Sequence, residues 1–324
     1  MLDPVGGFER IRNQYITYLE TAFRIRDSGV SAERRWMLEQ PGALATEPFV
    51  EPIPRYESVP WTVAELMTHE DSPVRSLGPV GGAAAAALIS AGLFDKPEIK
   101  PYLHQIEMLG RGLRTGTPGI VTSGTGSGKT ESFLLPVIAS IAAEGAMHWE
   151  APDAGYLDGK WWVDPTTGQP YEKFLAIPPA LRPLDKNPDA TPFTPQRRGE
   201  RRSAAVRCMV LYPMNALVED QLTRLRAALD SEAARAACAT HLKGNRIFFG
   251  RYNGPTPVPG PQRHPRVAPK ADAKRRHRLL QRLFEHLSAA DTTQKHVEEL
   301  IATGELLPEN RFQFPHSDGA ELID

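Results

Sequence analysis

Apolar residues set out the first elements. Phe8, Ile11, Tyr15, Tyr18, Leu19, Ala22 and Phe23 recur at three- and four-residue spacing, which predicts an amphipathic helix over residues 8 to about 25. A second helix is expected to follow, with Ser31 as its N-cap and Glu33 and Arg34 in its opening turn. Residues 49–56 read as extended and proline-broken, and short helices are predicted over 62–68 and 82–93. The first third reads as a helical accessory domain, a lid or docking module over residues 1–75, and nothing in it carries chemistry.

After Pro101 the pattern changes. Helices are predicted over 102–114, 131–143 and 215–229, alternating with short apolar runs at 119–121, 206–212 and 246–250 that read as buried strands. This alternation predicts an α/β domain, a parallel sheet flanked by helices, over residues 76–324. Proline-dense zones at 152–195 and 255–269 read as inserted elements, because proline removes a backbone donor and stops helices. The insertions are placed at about 147–204 and 255–316, with charged helices over 272–287 and 292–301 and an irregular tail after Gly304.

Composition narrows the classes. The 324 residues leave room for two domains at roughly 150 residues each. A net charge of −1 gives no global attraction to nucleic acid or membrane, so any basic surface must be local. Cys208 and Cys238 are too few for a disulfide framework and lack zinc-site spacing. The N-terminus lacks a signal peptide, and the most apolar run, residues 80–94, is alanine-rich and reads as too short to span a bilayer. The expectation is a cytoplasmic protein with no membrane partner.

The strongest chemical signal is Ser123-Gly124-Thr125-Gly126-Ser127-Gly128-Lys129-Thr130, set between an apolar run and a predicted helix. Glycines let successive backbone N–H groups curl around an oxyanion, and the helix start adds orphan donors and partial positive charge. On this pattern the loop residues and Glu131 bind ATP. Lys129 reaches the β- and γ-phosphates, and the Thr130 hydroxyl holds Mg²⁺. Ser123 stands where the strict pattern has glycine.

Two flanking features choose among phosphate-loop families. Pro101-Tyr102-Leu103-His104-Gln105 resembles the Q motif of superfamily 2 helicases, which implies that the Gln105 amide pairs with the adenine edge. Tyr212-Pro213-Met214-Asn215-Ala216-Leu217-Val218-Glu219-Asp220-Gln221 resembles motif Ia of the same superfamily, which implies that Pro213 and Asn215 meet a phosphate of the tracked strand at a helix N-terminus. Tyr252-Asn253-Gly254-Pro255-Thr256 resembles a further stretch of that branch, so Asn253, Gly254 and Thr256 join the nucleic-acid candidates. Met214 and Asn215 stand where the branch has threonine and lysine, and Pro255 where it has aspartate. The chain thus resembles the N-terminal part of a superfamily 2 DEAD/DEAH-box helicase with a RecA-like ATP-binding domain. Its wording is similar to the large anti-phage defence helicases of the Druantia type, with the DISARM type as the near alternative. DNA in preference to RNA, and defence-system proteins, are the partners this resemblance implies.

No D-E-x-D or D-E-x-H string occurs in the 324 residues, although the mechanism needs an aspartate on Mg²⁺ and a glutamate to position water. Glu70-Asp71, Glu219-Asp220 and Asp318 to Glu321 are poor substitutes. The first RecA-like domain is therefore read as incomplete, with the chain either a fragment of a longer protein or a truncated gene product. A non-catalytic nucleotide- or nucleic-acid-binding module that docks a partner is the second reading. Two basic clusters, Arg197, Arg198, Arg201 and Arg202, and Lys270, Lys274, Arg275, Arg276, Arg278 and Arg282, are candidate strand contacts, set against a plain solvated face. Trp149, Trp161 and Trp162 read as anchors of an inserted loop, with stacking on bases as the alternative.

Overall fold

A computed structural model describes residues 4–46, 55–94, 96–124, 126–153, 160–182, 195–197, 199–213, 215–259 and 264–323. The chain divides into two compact units, Met1–Arg55 and Tyr56–Asp324.

The first unit holds α1 (Pro4–Ala22) and α2 (Ser28–Glu39). The cap of α2 is Asp27, not Ser31: the Asp27 carboxylate accepts the Val30 amide at 3.0 Å. Aspartate is as strong a cap as serine and sits one turn earlier. The Ser31 hydroxyl instead donates to the Ile25 carbonyl. Arg35 pairs with Glu20 at 3.0 Å, joining the two helices. The extended run expected at 49–56 lies largely outside the described residues.

The second unit is organised by α3 (Gly78–Gly92), α4 (Leu103–Gly112), α5 (Lys129–His148), α6 (Asn215–Asp230), α7 (Glu232–His241) and α8 (Pro269–Ala302). The alanine-rich α3 is the hub, packing against α5, α6 and α7. Its Ala84, Ala85, Leu88 and Ile89 are buried with Leu135, Ile138 and Ala142 of α5 and with Leu242 after α7. Small side chains let these axes approach closely, and non-directional burial of the apolar surface holds them. By length and composition alone, residues Pro73–Gly92 are apolar and long enough to cross a membrane, which corrects the expectation that the run is too short. In the structure this helix is part of the core.

The predicted sheet is where structure and sequence part most. Among the described residues β pairing is confined to isolated bridges, and the runs at 119–121 and 206–212 form no ladder. Their apolar side chains stay exposed: Ile120 at 87%, Val206 at 86% and Leu211 at 79%. A strand is stable only when a neighbour satisfies its backbone, and among the described residues these runs have no neighbour to pair with. Arg207 nevertheless clamps the second run to α5, reaching Glu144 at 2.7 Å. The third run, 246–250, has the beginning of a parallel partner. Phe249 donates its amide to Ala320 at 3.1 Å and accepts from Leu322 at 2.7 Å.

Around that bridge, α6 supplies two buried charged side chains. Arg226 makes a two-pronged pair with Glu321 at 2.5 and 3.1 Å. Asp230 accepts the Ala320 amide at 2.9 Å. Burial pushes the Asp230 carboxyl above its ordinary value, with Arg235, the Ala320 amide and Arg246 pulling the other way.

Residues predicted as two helices, 272–287 and 292–301, form the single 34-residue α8. Trp162, Phe174 and Ile177 of the first insertion pack on its Leu280, Leu283 and Leu287, making a second core. Asp291 of α8 fixes the register. It accepts from Trp162 Nε1 at 2.6 Å and Lys160 Nζ at 2.8 Å, and the Ser317 hydroxyl donates to it as well. Trp149 is buried under the Arg202 guanidinium, 3.6 Å from the ring centroid. The expected anchoring role of Trp149 and Trp162 is thus what the structure shows.

The two thiols should report these environments. Cys208 lies exposed in the unpaired run, its thiol raised by partial burial, whereas deeper burial pushes the Cys238 thiol up to about 11. A haloacetamide pulse at mildly alkaline pH is expected to alkylate Cys208 first, with Cys238 at least about tenfold slower until denaturant is added. Mass spectrometry of the peptides reads the order.

Candidate functional site

The site begins with the backbone of the glycine loop. Gly126 and Gly128 have φ of +74° and +72°, a left-handed conformation that strains any side chain. Gly128 caps α5, so the loop runs directly into the helix start at Lys129. A Cβ on Gly128 would collide with Gln105 Nε2, so only glycine fits. Thr125 lies outside the described residues.

Two elements before the loop hold it. From α4, Gln105 Nε2 donates to the Gly128 carbonyl at 3.1 Å while its Oε1 accepts the Tyr102 amide at 2.8 Å. The His104 ring nitrogen lies 2.9 Å from the Ser127 carbonyl. From the segment ahead of α3, the Tyr56 hydroxyl accepts the Gly124 amide at 2.8 Å. Tyr56 also contacts the rings of Tyr102 and His104, with centroids 5.6 and 5.5 Å away.

Inside the loop, Lys129 Nζ donates to the Ser123 carbonyl at 2.8 Å, and the Ser127 hydroxyl bonds Ser123 Oγ at 2.6 Å. From the far side comes α6. Gln221 Nε2 reaches Thr130 Oγ1 at 3.4 Å, and Arg224 pairs with Glu131 at 2.7 Å. The expected loop residues Ser123, Gly124, Gly126, Ser127, Gly128, Lys129, Thr130 and Glu131 are thus together, with Gln105 against them. The geometry differs from expectation at Gln105, which is buried with both ends of its amide bonded within the protein. In this arrangement it braces the loop instead of presenting an open edge to a base.

The nucleic-acid candidates are more dispersed. Pro213 is exposed just ahead of α6, and Asn215 begins that helix. Asn253, Gly254 and Thr256 form a closed turn in which the Asn253 amide donates to Thr256 Oγ1 at 2.9 Å. Thr256 is buried, so it shapes the turn and offers little to a ligand. Arg251, beside that turn, pairs with Glu219 of α6. Arg275 and Arg276 both turn toward Asp272, at 3.0 and 3.2 Å. Burial pushes the Asp272 carboxyl up, but the Arg275 hydrogen bond, the His264 amide and the two guanidinium charges outweigh it, leaving it below its usual value. In the other cluster, Arg197 and Arg202 pair with Glu200, and Arg201 pairs with Asp153 at 2.6 Å. Arg198 lies outside the described residues.

Of the acidic substitutes, Asp220 comes nearest the loop: its carboxylate accepts at 3.2 Å from the same Gln221 Nε2 that reaches Thr130, and it lies 3.4 Å from Arg224. Glu321 is spent on Arg226, and the Asp318 carbonyl accepts from Arg246. Among the described residues no group of three His, Cys, Asp or Glu side chains could hold a metal ion. Tyr56 and His104 were not singled out in the sequence as loop contacts. His104 sits beside Gln105 and could have been found there, but Tyr56, 68 residues from its partner, carries no local signal.

A glycine loop entering a helix at a lysine and a threonine, with both glycines left-handed, is the pattern of the P-loop class. Residues 103–247 match the family described as DEAD/DEAH box helicase, and through that stretch the chain belongs to those helicases. Among curated proteins it is similar to Druantia protein DruE of Escherichia coli (strain UMEA 4076-1), 30% identical over 249 residues. That match covers 75% of this chain and 10% of DruE, so the chain spans about a tenth of that relative's length. No solved structure matches the chain.

Removal of one oxygen tests the brace. Tyr56→Phe keeps the ring but takes away the acceptor of the Gly124 amide. Hydrogen exchange at Gly124 is expected to quicken about two- to tenfold, in line with one lost hydrogen bond. Exchange at buried α5 amides should stay unchanged.

Proposed function

We propose that this chain is the ATP-binding segment of a DNA helicase or translocase of superfamily 2, acting in the cytoplasm and serving phage defence. The single observation that carries the reading is the seating of the glycine loop between Gln105 on one side and Gln221 and Arg224 on the other. Both flanks come from stretches that resemble helicase motifs. In this reading the domain that holds the loop is RecA-like.

The loop residues fit a polyphosphate. Both left-handed glycines let backbone N–H groups face one point, and the start of α5 adds orphan donors and positive potential. Lys129 now rests on the neutral Ser123 carbonyl. An anionic phosphate oxygen is a better acceptor for an ammonium, because attraction between opposite charges then adds to the hydrogen bond. For Mg²⁺ this chain offers the Thr130 hydroxyl; Mg²⁺ keeps most of its waters and takes the rest of its shell from phosphate oxygens. Bound, the ion would supply Lewis-acid neutralisation of phosphate charge. The acid nearest Thr130 in sequence, Glu131, is already paired with Arg224 and poorly suited to activating water.

On the strand side, Pro213 and Asn215 stand at the N-terminus of α6, where orphan amides and the helix dipole favour a phosphodiester. Gln221 and Arg224 lie farther along the same helix and touch Thr130 and Glu131. In this reading α6 links strand and nucleotide. The second reading, a nucleotide-binding module without turnover that docks partner proteins, is favoured for the polypeptide of residues 1–324 by the absence of a D-E-x-H string.

Calorimetric titration with MgATP should show binding to the 1–324 chain, and Lys129→Ala should weaken it by about 100-fold or more through loss of a charge-assisted contact of about 3 kcal/mol. Absence of binding in the unmutated chain would refute the nucleotide reading. Multiple-turnover hydrolysis is expected to stay near background. Steady turnover by the 1–324 chain that Lys129→Ala abolishes would mean that it holds a water-activating group after all.

A further inference from the structure

The second arginine cluster separates in the structure into two sets with different fates. Arg275 and Arg276 fold back onto buried Asp272. Lys270, Lys274, Arg278 and Arg282 are all exposed, and they are spaced four residues apart along α8. Side chains at that spacing share a face, and each step rises about 6 Å along the axis. The four therefore form a cationic stripe roughly 18 Å long.

Three observations set this stripe apart from an ordinary solvated face. Such faces place acids three or four residues from their bases, where each pair gains a few tenths of a kcal/mol. Here no acid stands at those spacings from Lys270, Lys274 or Arg278, and Glu285 is the first, beyond Arg282. Among the described residues none of the four pairs with an acidic side chain, whereas their neighbours Arg275 and Arg276 do. Lys270 also lies in the first turn of α8, where the helix dipole disfavours a cation. The like charges are mutually repulsive on the free helix, and an external row of negative charge relieves that repulsion. In a chain of net charge −1, that concentration is local.

We propose that this face of α8 is a binding surface for the phosphodiester backbone of a single nucleic-acid strand, with Lys270, Lys274, Arg278 and Arg282 each meeting a phosphate. The occupant follows from charge complementarity: a regular row of cations on a rigid helix fits a regular row of anions. Of the six cations in the run, four keep the role for which the sequence pattern made the whole cluster a candidate, while Arg275 and Arg276 instead hold the start of α8 through Asp272. The inference rests on the nucleic-acid reading above and names its contact surface.

The test is the salt dependence of binding to a fluorescent oligothymidylate by the 1–324 chain, with an oligouridylate of equal length as the RNA arm. Each phosphate contact on a single strand contributes about 0.7 to the slope of log affinity against log salt. The quadruple variant Lys270→Gln, Lys274→Gln, Arg278→Gln and Arg282→Gln should lower that slope by about 2–3 and weaken binding at least about tenfold at low salt. The charge-keeping set Lys270→Arg, Lys274→Arg, Arg278→Lys and Arg282→Lys should retain the slope, which separates charge loss from misfolding. Arg275→Gln with Arg276→Gln should lower the unfolding midpoint and leave the slope unchanged. An unaltered slope in the quadruple variant overturns the proposal, as does polyglutamate binding the stripe as tightly as the oligonucleotides. No oligonucleotide binding by the unmutated chain would remove the nucleic-acid reading itself.

Discussion

The bond from Gln105 to the Gly128 carbonyl is the constraint from which the rest of the site is built. Gly128 must take a left-handed backbone for the loop to turn into α5, and its missing Cβ is the space that Gln105 Nε2 occupies. The other end of the same amide caps α4 through the Tyr102 amide. One buried side chain therefore fixes the start of two helices against each other. Losing it would leave the Tyr102 amide without its side-chain acceptor, while the Gly128 carbonyl would keep the Ser132 amide and hydroxyl. Tyr56 and His104 extend the brace to the Gly124 amide and the Ser127 carbonyl, so the loop is held at both ends before any ligand arrives.

What α6 adds is a connection. Its N-terminus lies at Asn215, two turns on it touches Thr130 and Glu131, and farther along it buries Arg226 and Asp230 against residues 318–321. A rigid helix with three such attachments cannot shift at one end alone. Displacement of Gln221 by a ligand on Thr130 would be felt at the Arg226–Glu321 pair and at the parallel bridge of Phe249 with Glu321. The Gln221 bond, at 3.4 Å, is the weakest of these attachments and therefore the one a ligand can replace at least cost.

The glycine loop was legible because its chemistry is local: eight consecutive residues between an apolar run and an apolar helix contain the whole pattern. The helices α3, α4, α5 and α6 were legible from periodicity, to within a turn at most of their ends. The accessory cap was misplaced because Ser31 and Asp27 are both good caps, and only the φ and ψ of Asp27 decide between them. Residues 288–291 stood between the two helices expected from the sequence. Asp291 is instead an interior acceptor for Trp162, from 129 residues away, and no local rule reports that. The strands failed for the opposite reason. Residues 119–121 and 206–212 have strand composition, but a strand is made by its neighbours, and β preference measures fit to a sheet more than an intrinsic backbone bias.

The same logic separates Arg275 and Arg276 from the four cations beside them. In sequence all six are one basic run, and nothing in the run says which will be neutralised. Asp272 decides it, because it is buried at the start of α8 and must be compensated there, and the two arginines three and four residues on are the ones within reach. The residues left over, at 270, 274, 278 and 282, fall on the opposite face from Leu279, Leu280, Leu283 and Leu287, which pack on Trp162 and Phe174. The second core thus orients α8, and in doing so turns one row of its charges outward. A surface generated by burial elsewhere is rigid, and rigidity lets a row of long side chains meet a row of phosphates without each contact having to order its own backbone.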